Sequence, residues 1–121
     1  MNYSEMSSAE INRRVALVVY PGDQAITPYS HREDVQIFHK NDCYTFKDFC
    51  NSWADAGPII AEQQISIIFD ADSTIDPPAH WVLCRHVDSN GRVSEHYGQP
   101  TAPLRSAMIV FLMMQEDKCK S

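Results

Sequence analysis

The chain has 121 residues, 44% of them hydrophobic, and a net charge of −6. That length suits a single domain spanning 1–121, which buries roughly two-thirds of the surface its unfolded chain exposes. Residues 1–60 and 61–121 each carry five Lys or Arg against eight Asp or Glu, so no basic face is expected for a phosphate backbone and direct nucleic-acid binding is disfavoured.

Ser7-Ser8-Ala9-Glu10 opens the first predicted helix, 8–19. Ser7 can cap it, Glu10 completes the capping box, and Met6 can staple against Ile11. Pro21-Gly22 stops it, and residues 21–34, with Pro21, Gly22 and Pro28, read as a long exposed loop. Val35–His39 and Tyr44–Phe46 are short strand candidates around the turn residues Lys40-Asn41-Asp42. Ser52-Trp53-Ala54-Asp55 forms a second capping box and opens helix 53–63. There Pro58 must bend the helix if Ser52 caps it, and is harmless if Asp55 does.

Ile65–Phe69 is a strand. Because Ile67, Ile68 and Phe69 leave no polar face, it is expected at the centre of the sheet. After a loop holding Pro77-Pro78, Trp81–Asp88 and Arg92–Tyr97 flank Ser89-Asn90-Gly91. A two-residue turn at Asn90-Gly91 would set His86 opposite Glu95, Arg85 opposite His96 and Cys84 opposite Tyr97. The last helix, 104–116, is apolar without interruption from Ala107 to Met114. Eight such residues are too few to cross a bilayer, which takes about 20, and they show no polar stripe. The helix is therefore enclosed by its own domain or by a second copy, and a homodimer through one side of it is possible. Hairpin-linked strands with about three helices give an α+β class: an antiparallel sheet, a meander with the Asn-Gly hairpin, packed with helices.

Met1–Ile11 is polar, with Glu5 and Glu10, and is unlike a signal peptide. The expected compartment is the cytoplasm, where Cys43, Cys50, Cys84 and Cys119 would be reduced thiols. None of the four forms a Cys-x-x-Cys pair.

Three segments carry a resemblance: MNYSEMSSAEINRRVA (1–16), FCNSWADAGPIIAEQQISIIFD (49–70) and PLRSAMIVFLMMQE (103–116). Together they resemble the NinX-like family of small bacteriophage and prophage proteins, over a little under half the chain. The resemblance implies context, a phage accessory protein acting in the host bacterial cytoplasm, and transfers no catalytic residue. It also implies a helix–sheet–helix sandwich like that of other small phage proteins, an analogy of fold alone.

Candidate chemistry is thin. His80, Cys84 and His86 alternate along one strand, and Glu95 falls across from His86 in the two-residue-turn register, so these four could offer zinc its ligand types. Asp70–Asp76 suggests a calcium loop but has Ile75 where the glycine belongs and Trp81 in place of the bidentate Glu. Gly-x-Ser-x-Gly and nucleotide-binding glycine loops are absent from the sequence, and Cys50 with His39 is the remaining thiol–base pairing. Trp53 and Trp81 are expected in the core, whereas Tyr20, Tyr29 and His31 belong to the long loop region expected to contact a partner.

The leading function is thus a non-enzymatic phage accessory protein that binds a host or phage protein and needs no cofactor. The alternative is a small metal-dependent or thiol hydrolase-like enzyme using the 80–97 hairpin, and an acidic nucleic-acid mimic is third.

Overall fold

A computed structural model describes residues 2–28 and 32–120, the side chains of 119 and 120 excepted. In chain order it contains a 3-10 turn at Tyr3–Glu5, α1 (Ser8–Val19), β1 (Gln24–Ile26), β2 (Val35–Phe38), β3 (Tyr44–Lys47), α2 (Trp53–Gln63), β4 (Ser66–Asp72), β5 (Ala79–Val87), β6 (Val93–Gly98) and α3 (Pro103–Lys120). The fold is α+β, with two antiparallel three-stranded sheets ordered β1-β2-β3 and β4-β5-β6.

The layers run first sheet, α1, α3, second sheet. Helix α1 touches β1, β2 and α3, while α3 lies on β5 and β6 and also meets α2. The expected α+β class, antiparallel strands packed with three helices, is thus what the chain adopts, with its strands divided between two sheets. This layering explains the unbroken apolar run. Met108, Ile109, Val110, Phe111, Leu112 and Met114 are all buried within one chain because α1, α2 and the second sheet all pack against α3. Burial inside the chain therefore removes the motive for pairing two copies through this helix.

Several local predictions hold. Ser7 Oγ accepts from Glu10 N–H at 3.1 Å, and α1 turns Ile11, Asn12, Val15 and Ala16 inward. Helix α2 begins after Ser52, although that side chain makes no capping bond, and Pro58 lies inside the helix. Asp55 instead accepts from Asp48 N–H at 2.9 Å and pairs with Lys47. Helix α2 buries Ala56 and Ile59 against α3, and Trp53 in its first turn stays exposed rather than joining the core.

Four expectations are corrected. Residues 21–34 are not all loop, because Gln24–Ile26 pairs with Gln36–Phe38 as β1 and Ala25 is buried. Strand β4 is an edge, with β5 at the centre, so Ile68 and Phe69 are apolar but exposed. The β5–β6 turn has three residues: Asp88 and Arg92 close it, Asp88 Oδ1 accepts from the N–H groups of Asn90 and Arg92, and Gly91 takes φ +79°. That loop shifts the register by one, to His86↔Ser94, Arg85↔Glu95 and Cys84↔His96. A one-residue shift moves each partner to the opposite face of the sheet.

Buried polar groups tie the layers together. Asn12 Nδ2 donates to Glu33 O at 2.7 Å and to Asp48 Oδ1 at 2.9 Å, and its Oδ1 accepts from Cys50 N–H. Arg105, at the start of α3, donates to the carbonyls of Tyr3, Ser4 and Met6 and so fastens the N-terminal turn to the core.

Candidate functional site

The metal hypothesis is tested by the register. Glu95 sits beside Arg85, with which it forms a 2.9 Å ion pair, so it faces away from His86. His80 and Cys84 share a face but lie four residues apart, about 13 Å along a strand, too far to share one ion. Cys84 is buried, donates to Pro103 O at 3.6 Å, and has its thiol pushed up to about 11 by burial. Among the described residues no three His, Cys, Asp or Glu side chains are placed to hold a metal.

His86 lines a cleft of about 210 Å³ between the β5–β6 turn and the end of α3, with Asp88, Arg92, Ser94, Met114 and Asp117. Its Nδ1 is buried without a hydrogen-bond partner. Ser94 Oγ donates to Asp117 Oδ2 at a long 3.4 Å and not to the His86 imidazole, so the nucleophile–imidazole pair of a hydrolase is not formed there.

The Cys50–His39 pairing is also overturned. Cys50 is buried, its thiol donates to Ser8 O, and burial pushes it up to about 12. His39 spends both nitrogens elsewhere: Nδ1 lies 2.9 Å from Asp23 Oδ2 and Nε2 lies 3.0 Å from Thr45 Oγ1. The contacts run acid, base, hydroxyl. The cluster serves as a brace joining the approach to β1, the end of β2 and the edge strand β3. Tyr20 belongs to this brace; it is half-buried with its ring edge-on to His39, centroids 5.4 Å apart, and so is less open than the sequence suggested. Tyr29 and His31 lie outside the described residues.

The feature that stands out is on the opposite face of the first sheet. Val35 and Ile37 point inward and are fully buried, so Gln36 and Phe38 point out, and pairing places Tyr44 and Phe46 beside them. Tyr44 is 57% exposed, Phe46 42% and Phe38 37%. Their rings form one cluster, with Phe38–Tyr44 centroids at 6.1 Å and Tyr44–Phe46 at 5.7 Å in an edge-to-face arrangement. The Arg32 guanidinium covers one side of Phe46, 4.7 Å from its centroid, while also pairing with Asp34. Ile26 extends the apolar surface across β1.

The second sheet also has an exposed apolar face, with Ile68, Val87, Val93 and Tyr97, but the Arg85–Glu95 ion pair interrupts it. Among the described residues only the first face is a continuous ring cluster. The sequence carried the signal for it in the alternation Gln36-Ile37-Phe38 and Tyr44-Thr45-Phe46, but which side was outward depended on where α1 packs.

No helix among the described residues is long and apolar enough to cross a membrane. Neither a curated protein nor a solved structure shows a significant match to the chain. The family model described as bacteriophage P22, NinX, matches residues 2–115. That match spans nearly the whole fold, from the N-terminal turn to α3, and the chain therefore belongs to the NinX family of bacteriophage P22.

Proposed function

We propose that this phage accessory protein acts by binding another protein, of the host or of the phage, in the host cytoplasm, and that the outer aromatic face of the first sheet makes the contact. The observation that carries this reading is the exposed, mutually packed cluster of Phe38, Tyr44 and Phe46 with Arg32 at its border. Aromatic residues and Arg are the types most enriched where protein interfaces store their binding energy. An even spread of charge, net −6, offers no phosphate-tracking groove, which favours a protein partner over nucleic acid.

The test compares affinity capture from phage-infected cells by wild type, by Tyr44→Ala/Phe46→Ala and by Tyr97→Ala. The last removes an exposed aromatic from the other sheet. A partner retained by wild type and Tyr97→Ala but lost by the double variant supports the assignment. A partner kept by the double variant and lost by Tyr97→Ala would place the interface on the second sheet.

A further inference from the structure

Backbone bonding at the turns shows which groups the edge strands β3 and β4 leave free. His39 N–H donates to Cys43 O at 2.8 Å, so the doubly bonded pairs of β2 and β3 are His39/Cys43, Ile37/Thr45 and Val35/Lys47. The N–H and C=O groups of Tyr44 and Phe46 therefore point away from β2, along an edge with no neighbouring strand among the described residues. The same reasoning applied to β4 starts from Asp88 N–H donating to Arg92 O, and leaves Ile67, Phe69 and Ala71 facing outward.

Of the four edge strands, these two are treated differently. On β4 the Ala71 N–H is taken by its neighbour's carboxylate, Asp70 Oδ1, at 2.8 Å. Asp70 and Asp72 also place two acidic side chains on this strand, and charges along an edge discourage sheet extension. Residues 43–46 contain no charge, no proline and no bulge and are all exposed, and Lys47, the one charge of β3, is paired with Asp55 at 3.5 Å. Among the described residues nothing covers the edge at Tyr44–Phe46.

We propose that β3 is a self-pairing edge: two copies align their β3 strands antiparallel about a two-fold axis at Thr45, joining two three-stranded sheets into one of six. A second copy fits because the edge is self-complementary. Centred on Thr45, Tyr44 lies opposite the partner's Phe46 and exchanges both backbone bonds with it, and the symmetric pair does the same, so all four free groups at each edge are used. The cross-strand Tyr–Phe pairs fall on the outer face and continue the ring cluster already formed by Phe38, Tyr44 and Phe46. On the other face Thr45 meets the partner's Thr45, another favourable cross-strand pair. The dimer would double the aromatic face proposed above as the partner contact.

The register dictates the experiment. In a Cys43→Ser/Cys119→Ser background, Thr45→Cys is expected to form an intermolecular disulfide on mild oxidation, since facing residues of a non-bonded antiparallel pair have Cα atoms about 4.5 Å apart, within disulfide reach. Tyr44→Cys is expected to stay uncrosslinked, because its own copy lies two positions along the seam. Sedimentation of the wild type should show a monomer–dimer equilibrium. Phe46→Pro should be monomeric and folded, because its lost N–H points outward and removes no bond to β2. Tyr44→Lys reads the same interface should the proline variant unfold. A wild type monomeric at high micromolar concentration, a dimer indifferent to Tyr44→Lys, or crosslinking at position 44 rather than 45 would each overturn the pairing. Monomeric wild type that still loses its partner on Tyr44→Ala/Phe46→Ala would refute the dimer and leave the binding role standing.

Discussion

At Gly98 strand β6 approaches helix α3 too closely for a side chain, and Gly98→Ala measures how tightly the two are fitted. A Cβ built there would lie 1.9 Å from Ser106 Oγ and 3.2 Å from Ser106 Cβ, with His96 Nδ1 at 3.7 Å. Ser106 is itself buried, 3% exposed, on the α3 face that packs against the sheet. With that space open, Gly→Ala at an ordinary strand φ would stabilise by about 0.4–1 kcal/mol through the unfolded chain. The clash reverses the sign. Rotating Ser106 relieves the oxygen contact but not the carbon one, so α3 must move off the sheet by a few tenths of an ångström. Overpacking of this kind costs about 1–3 kcal/mol. An unfolding entropy of about 2.1 cal/mol/K per residue over 121 residues is about 0.25 kcal/mol/K, so a loss of about 2 kcal/mol lowers Tm by about 8 °C. Thermal and urea unfolding should show this loss, and Ser106→Ala in the same chain should recover part of it, with a coupling of at least about 0.5 kcal/mol. A Gly98→Ala protein as stable as wild type, or one that Ser106→Ala does nothing to rescue, would refute the close approach.

Phe111→Ala should cost about 3–5 kcal/mol in urea unfolding, because this 4% exposed ring sits in the central helix; a loss below about 1 kcal/mol would show that the position is not core. His96 is held below its usual 6.5 by burial and then by the nearby Arg105 charge. The unfolded chain therefore binds more protons, so the stability His96 contributes is present above about pH 6.5 and is lost as pH falls through its lower folded value. A pH series of unfolding curves should decline below that point, and His96→Gln should flatten the decline; an unchanged slope would assign it to other groups. Gln64 closes α2 in the left-handed region at φ +56°, so Gln64→Gly should raise stability by about 1 kcal/mol in the same assay, and a loss would mean its side chain matters more than its backbone.

Some of this was settled by residues a few positions apart. The Ser7 cap and the Ile11/Val15 spacing fixed α1, the turn at 40–42 separated β2 from β3, and the unbroken run from Ala107 to Met114 marked an enclosed helix. Those signals are local because caps, turns and helical periodicity are satisfied within one or two turns of backbone. The family was legible in the same way, from three segments that the full-length match then joined. Tertiary structure decided the rest. Whether Asn90-Gly91 closes a two- or a three-residue loop depended on Asp88 accepting from Asn90 and Arg92, and that one residue sent Glu95 to the face opposite His86 and dispersed the suspected metal ligands. The apolar Ile67-Ile68-Phe69 implied a central strand, yet β5 took that place, because composition does not say how many neighbours a strand will find. Phe38, Tyr44 and Phe46 looked no different from core aromatics until α1 covered the inner face of their sheet and left the outer one to solvent. Which face a strand buries is set by the element that packs on it, and for the first sheet that element, α1, lies outside the strands' own sequence.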